Sequence, residues 1–336
     1  MNTELNVDEL LNRLASVRVG VVGDFCLDGY WELDGSLSER SVETGLPTRS
    51  VRSQRYTLGA AGNVAANLRA MGVVSVSVYG VTGSDPFGRQ ERELMREQGV
   101  GVRGLVEQDE NWLTHVFIKP LEDGVEASRI DFGNANRLTD GVARRVLEEL
   151  AGSCADLDVV IINQQVTGGI HESELFQDEL QTLIAANPDK LFLLDSRDMC
   201  RRYEGTIRKI NACEAMRLMG AEVDPLDPIS DDAARAAGVR LAEEWEKPLF
   251  VTQGKRGCLV IDGDRADVVP AVPDRSPTDP VGAGDSMVAG IAAALAAGHT
   301  PYEAAAFGSL VAGVTVQKLH QTGTATPGEI RAIAQA

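Results

Sequence analysis

The chain has 336 residues, enough for one large α/β domain or two ordinary ones, and 43% hydrophobic with 24% charged residues is a globular composition. The formal net charge of -18 opposes attraction to nucleic acid or to an anionic membrane surface. The cysteines are scattered and form no C-x-x-C pair, no basic start precedes an apolar run, and no apolar stretch is long enough to span a membrane. We therefore expect a cytoplasmic location, with neither nucleic-acid nor membrane partners.

The first half of the chain alternates strand-like and helix-like segments. A short amphipathic helix precedes the β-rich run 17–24, which is typical of a central strand. Residues 62–71 have helical composition, and the alternating apolar residues of 73–79 predict a strand. The charged segment 85–99 predicts a helix, because Pro is favoured at helix starts and Gly just after helix ends.

The second half repeats this alternation. Three helices are each followed by a strand: helices 139–151, 172–186 and 231–246, and strands 158–163, 191–195 and 249–252. Strands separated by helices of this length predict an α/β fold with a doubly wound, mostly parallel sheet flanked by helices. Ligands of such sheets bind at the carboxyl ends of the strands. Residues 258–264 interrupt the alternation with a hairpin-like pattern.

Two further segments, at about 29–58 and 112–132, lack helical periodicity and are rich in Thr, Val, Ser and polar residues. They predict extra strands that form a small β lid. Because no linker or repeat is visible, we expect one domain, 1–336, with the lid strands inserted into it. Exposed lid strands would offer pairing edges, so we also expect a homodimer joined through them.

The chemistry-bearing segment is the loop Gly282-Ala283-Gly284-Asp285, which precedes an Ala- and Leu-rich helix at 286–297. Small residues allow close approach of a ligand, and the unpaired N–H groups of a first helical turn can hold a phosphoryl group. A carboxylate in that turn can accept a proton from an attacking hydroxyl. Taken alone, G-x-G-D fits a simple turn and helix cap equally well.

The longer string D-P-V-G-A-G-D at 279–285 resembles the C-terminal signature of the ribokinase (PfkB) family, commonly D-T-x-G-A-G-D. The resemblance implies a ribokinase-like fold and an ATP-dependent carbohydrate kinase that uses Mg²⁺. It implies Asp285 as catalytic base, Gly282, Ala283 and Gly284 as the anion hole, and Asp279 near the nucleotide. Pro replaces the usual Thr at the second position of the string.

Two stretches near the N-terminus imply the sugar site. The run G-A-A-G-N-V-A-A-N resembles the family's N-terminal signature, which assigns Gly59 and Asn63 to substrate, with Ala60 in place of a second Gly. The opening strand, with Asp24 and Asp28, resembles the family's, in which acidic side chains accept hydrogen bonds from sugar hydroxyls.

Two downstream motifs imply the donor site. Asn211-x-x-Glu214 resembles the family's N-x-x-E, which implies that Glu214 organises Mg²⁺ through water, although the same spacing is common at helix starts. Thr252-x-Gly254-x-x-Gly257 resembles its T-x-G-x-x-G nucleotide loop, which also fits a plain turn from strand to hairpin.

Within the family, the string G-D-F-C-L-D-G-Y-W at 23–31 and the R-I-D-F that begins at Arg129 resemble the heptose-phosphate kinases. This implies a sugar-phosphate acceptor, with D-glycero-D-manno-heptose 7-phosphate as the leading candidate, phosphorylated at the anomeric hydroxyl. Two stretches depart from that subfamily: Q-Q-V-T-G at 164–168 replaces D-Y-x-K-G, and D-S-R at 195–197 replaces D-P-K.

Cationic side chains that could pair with an acceptor phosphate are Arg40, Lys119, Arg129 and Arg197. Two alternatives to a sugar kinase stay open. The first is a nucleoside or other small-alcohol kinase of the same fold. The second is a sugar- or nucleotide-binding regulatory protein without turnover, motivated by the departures at Gln164, Thr167 and Pro280.

Overall fold

The computed structural model of the protein describes residues 5–224, 227–273, 277–319 and 321–335. Within these residues the helices are α1 (Val7–Leu14), α2 (Ala61–Ala70), α3 (Pro86–Glu97), α4 (Asp140–Ser153), α5 (Glu174–Ala186), α6 (Ala212–Leu218), α7 (Asp231–Trp245), α8 (Ala283–Ala296), α9 (Pro301–Thr315) and α10 (Pro327–Ala334). The strands are β1 (Arg18–Gly23), β2 (Phe25–Leu33), β3 (Val51–Ala60), β4 (Ser75–Gly83), β5 (Gly101–Gln108), β6 (His115–Glu122), β7 (Val125–Glu126), β8 (Ile130–Phe132), β9 (Val159–Gln164), β10 (Leu191–Ser196), β11 (Ile207–Asn211), β12 (Leu249–Thr252), β13 (Cys258–Asp262) and β14 (Arg265–Val269).

The main sheet has the strand order β14-β13-β12-β11-β10-β9-β1-β4-β5. Its strands from β12 to β5 pair in parallel, and β13 and β14 add an antiparallel hairpin at one edge. The expected doubly wound, mostly parallel sheet is confirmed. Because parallel strands point the same way, the ends of β1, β9, β10, β11 and β12 meet at one edge: Gly23, Gln164, Ser196, Asn211 and Thr252.

Helices cover both faces of this sheet. Val21 of β1 packs in one core with α2, α8 and α9, whereas the next residue, Val22, packs in another with α4 and α5, because successive side chains of a strand point to opposite faces. Helices α8 and α9 approach closely, since a Cβ on Gly290 would lie 2.7 Å from the Gly308 Cα. This packing fixes α8 with its first turn at the ligand edge. No helix in the described ranges is long and apolar enough to cross a bilayer.

A second sheet stands over that edge, in the order β3-β2-β6-β7, with β8 also paired to β6. Strand β2 pairs antiparallel with β3 and in parallel with β6. Both segments expected to form the lid contribute strands, but the sheet begins at Phe25, earlier than expected. Residues 34–50 contain a short 3-10 turn at Gly35–Leu37 and an isolated bridge between Arg40 and Pro47 rather than a strand.

Several element bounds differ from the expectation. The strand expected at 73–79 begins at Ser75 and continues to Gly83. Strand β11 was not predicted, because its centre carries Arg208 and Lys209, which are buried and break the apolar pattern. The buried Arg208 is satisfied by the carbonyl oxygens of Cys200, Thr206 and Tyr203.

Candidate active site

The centre of the site is the first turn of α8, where the Asp285 carboxylate lies. The Asn63 amide at the start of α2 donates a 3.0 Å hydrogen bond to Asp285 Oδ2. Asn67, one turn further along α2, donates from Nδ2 to Asn63 Oδ1 at 3.1 Å and so fixes which end of the Asn63 amide faces the carboxylate. Gly282 has a φ of 77°, a left-handed conformation that favours glycine. A predicted sugar-binding residue and the predicted base are therefore joined directly.

The electrostatic surroundings of Asp285 oppose its ionisation. Burial raises the pKa of Asp285 to about 7, and the nearby Asp195 carboxylate contributes to this rise. The Asn63 hydrogen bond and the Lys209 ammonium favour the ionised form and oppose the rise. A carboxylate with a pKa near the operating pH can both accept and release a proton. The side chain is thus electrostatically suited to general-base chemistry.

The predicted anion hole is only partly available. The Ala283 N–H donates to the Pro280 carbonyl oxygen at 3.1 Å, so this amide closes a turn instead of facing a ligand. The Gly284 and Asp285 N–H groups lie in the first turn of α8, which has no intrahelical acceptors for them, and the helix dipole adds positive potential there. The amides of Gly284 and Asp285 remain the best placed to bind an anion.

Lys209 is a site residue that the motifs did not identify. Its ammonium lies 3.0 Å from Asp195 Oδ1, and a Cβ on Gly284 would lie only 3.2 Å from Lys209 Nζ. A buried positive charge therefore stands beside the start of α8. Lys209 lies two positions before Asn211, and alternate residues of a strand share a face, so the N-x-x-E match could have indicated it had β11 been recognised as a strand.

Asn211 and Glu214 form a reciprocal capping box at the start of α6. Asn211 Oδ1 accepts from the Glu214 N–H at 2.8 Å, and Glu214 Oε2 accepts from the Asn211 N–H at 2.7 Å. Both side chains also line the central cavity. Within the described ranges no group of three or more His, Cys, Asp or Glu side chains could hold a metal ion directly. Hard carboxylate oxygens fit Mg²⁺ that keeps most of its waters, so these residues suit indirect binding.

Of the residues predicted to contact nucleotide, Thr252 lies beside this capping box. Thr252 pairs with Asn211 across β11 and β12. Gly254 and Gly257 have φ values of 59° and 97°, and a Cβ on Gly257 would lie 2.0 Å from the Val269 carbonyl oxygen. Gly257 is therefore explained by chain packing as well as by ligand approach. Asp279 accepts a 3.0 Å hydrogen bond from the Val281 N–H and stabilises the loop that leads to α8.

The lid contributes a buried ion pair to the other side of the site. Lys119 Nζ on β6 lies 2.9 Å from Asp28 Oδ1 on β2, and the ammonium also stands over the Tyr30 ring. A Cβ on Gly59 would lie 2.8 Å from Asp28 Oδ2, so the glycine leaves room for this carboxylate. The neighbouring Ala60 has a φ of 46°, which is unusual for a residue with a side chain.

Arg129 lies on the same lid. Its guanidinium donates to both Asp131 carboxylate oxygens, at 2.6 and 2.7 Å, and stands 4.4 Å from the centre of the Phe117 ring. This bidentate pair neutralises part of its charge. Arg40, in contrast, donates to the Gly45 carbonyl oxygen in the exposed loop between β2 and β3.

Asp24 lies behind the cavity wall and is buried. Its carboxylate accepts hydrogen bonds from the N–H groups of Gln165, Val166 and Ile170, at 3.0, 3.4 and 3.0 Å. Asp24 thus holds the loop after β9, and its assignment to substrate stays a prediction without a contact in the cavity to support it.

A cavity of about 500 Å³ joins the two halves of the site between the sheet edge and the lid. Of the predicted site residues, those that line it are Asp28, Arg129, Asn211, Glu214, Gly282, Gly284 and Asp285. The other predicted residues, among them Gly59, Asn63, Thr252 and Asp279, are not part of its lining, and several unpredicted residues are. Its charged and polar lining comprises Asp28, Lys119, Glu126, Arg129, Gln165, Asp195, Arg197, Lys209, Asn211, Glu214, Asp285 and Thr322. Carboxylates that can accept protons thus face cations that can hold phosphate.

The chain has a doubly wound sheet with a β lid, and a carboxylate in the first turn of a helix faces a cavity lined by both carboxylates and cations. These features define a phosphotransferase of the ribokinase-like fold. The sequence model described as pfkB family carbohydrate kinase matches residues 35–327 of the chain. The chain belongs to this family and is an ATP-dependent carbohydrate kinase, which confirms the resemblance stated above.

Curated relatives at modest identity carry the name "Bifunctional protein HldE". The protein of Pelobacter propionicus is 29% identical over 329 residues, covering 97% of this chain and 64% of its own length. That of Halorhodospira halophila is 30% identical over 318 residues, covering 94% of this chain and 63% of its own. This chain therefore spans a little under two thirds of the length of these relatives.

Solved structures share the fold at lower identity. The phosphofructokinase-2 of Escherichia coli in complex with fructose-6-phosphate has a TM-score of 0.72 at 18% identity, covering 95% of this chain and 98% of its own. The Arabidopsis thaliana ribokinase complexed with ribose and ATP has a TM-score of 0.72 at 20% identity, covering 96% and 99%. These likenesses confirm the ribokinase-like fold.

Proposed function

We propose that this kinase transfers the γ-phosphate of ATP to a hydroxyl of a sugar phosphate, with D-glycero-D-manno-heptose 7-phosphate, at its anomeric hydroxyl, as the leading acceptor. The observation that carries the proposal is the Asp285 carboxylate, held by Asn63, in a cavity that also contains Lys119, Arg129 and Arg197. Lys119 and Arg129 are paired with carboxylates, but Arg197 forms no ion pair within the described ranges, and a phosphorylated acceptor, unlike a neutral sugar, would supply its anion. The resemblance to heptose-phosphate kinases in the opening strand supports the particular sugar.

Asp285 takes the proton of the attacking hydroxyl as the new oxygen–phosphorus bond forms, and the bond from the γ-phosphorus to the β-phosphate oxygen breaks to leave ADP. Asn63 orients the carboxylate through its 3.0 Å hydrogen bond. The amides of the first turn of α8 and the Lys209 ammonium stabilise the negative charge on the transferring group. Positioning and electrostatics supply most of the acceleration in phosphoryl transfer.

Glu214 and the neighbouring Asn211 would hold Mg²⁺ through water at the donor side of the cavity. When bound, this ion neutralises charge on the ATP phosphates. Thr252, Gly254, Gly257 and Asp279 would contact the nucleotide beside it. On the acceptor side, Asp28, Gly59 and Asn63 would meet the sugar hydroxyls, and Arg129 the acceptor phosphate.

The test is an ADP-release screen against sugars, sugar phosphates and nucleosides, with wild type beside Asp285→Asn and Asp264→Asn. Asp264 is exposed in the turn between β13 and β14 and serves as the matched control. We expect turnover with sugar phosphates in wild type and in the control, and its loss in Asp285→Asn with the fold intact. Turnover with nucleosides alone would favour the small-alcohol kinase. Saturable ATP binding without turnover of any acceptor would favour the regulatory protein.

The same proposal includes a homodimer joined through the lid. Strand β3 lies at the end of the lid sheet, and its first residues are exposed, including Val51. An exposed strand edge is a template for pairing with another chain. Sedimentation of wild type should give a dimer, and Val51→Lys, which places a charge at the edge, should shift it towards monomer. A monomer in wild type at high concentration would contradict this arrangement.

A further inference from the structure

The two glutamines at the end of β9 hold the turn that follows β10. Gln164 is buried, and its Oε1 accepts from the Ser196 hydroxyl at 2.8 Å and from the N–H groups of Arg197 and Asp198, both at 3.1 Å. The backbone is held as well, because the Arg197 N–H also lies 3.2 Å from the Gln164 carbonyl oxygen. One buried amide oxygen thus fixes the backbone that carries Arg197.

Gln165 holds the Arg197 side chain itself. Its Oε1 accepts from Arg197 Nε at 3.1 Å, while its own N–H is held by Asp24 Oδ2 at 3.0 Å. The guanidinium is therefore fixed by its Nε edge, and its two terminal nitrogens are left for a ligand. Within the described ranges no carboxylate forms an ion pair with Arg197, although acidic residues outnumber basic ones by 50 to 32 in the chain.

Arg197 and Gln165 both line the central cavity, where Lys209 projects from the adjacent strand. Glu214 and Asn211 line the same cavity. Arg197 therefore shares the cavity with Lys209 and with the residues that would hold Mg²⁺.

We propose that Gln164 and Gln165 are positioning residues that hold Arg197 as a phosphoryl-binding arginine of this cavity. A guanidinium fixed by one edge presents two parallel N–H donors, which match two oxygens of a phosphate. This inference rests on the kinase function proposed above, and the phosphoryl group belongs either to ATP or to the acceptor.

The experiment is a double-mutant cycle with Arg197→Met, Gln165→Met and the pair, and a second cycle with Gln164→Met. Arg265→Met, an exposed arginine of β14, is the matched control. Two readouts are used: calorimetric affinity for ATP and for a sugar phosphate, each measured alone, and kcat and KM for a sugar phosphate and for the same sugar without its phosphate. The two calorimetric affinities report on Arg197 under either assignment even if no acceptor in the screen is turned over, so failure of the proposed function is distinguishable from failure of this inference.

Arg197→Met should lower ATP affinity, or kcat/KM for the phosphorylated acceptor alone, by about 10- to 100-fold, as expected for a lost charge-assisted contact. The first result assigns the phosphoryl group to ATP and the second to the acceptor. Each glutamine variant should cost about 3- to 10-fold alone and nothing further in the Arg197→Met background. Unchanged affinity and kcat/KM in Arg197→Met, or glutamine losses that add fully to that of Arg197→Met, would overturn the proposal.

Discussion

Asn63 and Asp285 are 222 positions apart in the chain, yet the Asn63 amide donates a 3.0 Å hydrogen bond to the Asp285 carboxylate. The contact requires Gly282, because a Cβ there would lie 2.6 Å from Asn63 Nδ2. It also requires the packing of α2 against α8, which brings the starts of the two helices together. The N-terminal and C-terminal signatures of the family therefore form one structural unit in this chain.

The pH dependence of turnover should follow the ionisation of Asp285. Burial raises the pKa of Asp285 to about 7, and only the ionised carboxylate can accept the proton of the hydroxyl. We therefore expect kcat/KM to fall about tenfold per pH unit as the pH is lowered below about 7. Rate measurements from pH 5 to 9 in a constant-ionic-strength buffer test this. A profile flat down to pH 5 would show that no group of raised pKa limits the step.

The same ionisation should make the Tm of Asp285→Asn rise relative to that of wild type as the pH is raised. A carboxyl whose pKa is raised from 3.8 to about 7 on folding favours the folded state below pH 4, and that contribution is lost as the pH rises through 7. Asn cannot ionise, so the Tm of Asp285→Asn minus that of wild type should grow between pH 5 and pH 8. Calorimetry of both proteins measures it, and a difference independent of pH would contradict the assignment.

Replacing Asn63 by Ala should change the base without removing it. The Asn63 hydrogen bond opposes the rise in the pKa of Asp285, so its loss should move the acidic limb of the rate profile to higher pH. The unanchored carboxylate should also lower kcat by about 10- to 100-fold. Asn12→Ala, at an exposed position of α1, is the control. A limb that moves to lower pH would show that Asn63 does not stabilise the ionised form.

The alternation of strands and helices made the main sheet predictable, since buried parallel strands such as β9 read as continuous apolar runs. Strand β11 was not recognised because two buried cations occupy its centre, and their partners lie outside the strand, in the loop before it and at the end of β10. Charge inside a strand is interpretable only when its neighbours in space are known. The lid segments were identifiable, but their pairing was not, because β2 pairs in parallel with a strand some ninety residues later, as in Cys26 with His115.

The loop 282–285 could be singled out from the sequence because its glycines and its carboxylate are neighbours in the chain. The sequence could not predict which hydrogen-bond partners each polar side chain has in the folded chain. Asp24 reads as a free carboxylate, but three backbone N–H groups occupy it. Gln164 and Gln165 were interpreted only as departures from the D-Y-x-K-G stretch, but in the structure their side chains hold Arg197. These contacts depend on the registers of β9 with β1 and with β10, which no local pattern specifies.

Lys209→Met should separate stability from catalysis. Removing the ammonium leaves the Asp195 carboxylate buried and unpaired, which should cost about 3–5 kcal/mol of unfolding free energy. Asp195→Asn combined with Lys209→Met removes both charges and should restore most of that loss. Because Lys209 stands beside Gly284, kcat should stay about 100-fold low in the double variant. Denaturant unfolding and steady-state rates measure the two effects, and full recovery of kcat in the double variant would limit Lys209 to a structural role.

Ala60→Gly should stabilise the protein. Ala60 precedes α2 with φ 46° and ψ -128°, a region that side chains rarely occupy and that costs about 1–3 kcal/mol. Glycine removes this strain but gains about 0.5–1 kcal/mol of unfolded-state freedom, so the net gain should be about 1 kcal/mol. Ala61→Gly is the matched control, because Ala61 lies in the first turn of α2 and the same change there should destabilise by about 1 kcal/mol. Guanidinium unfolding of the two variants should therefore shift the midpoint in opposite directions, and a loss of stability in both would show that the Ala60 conformation carries no strain.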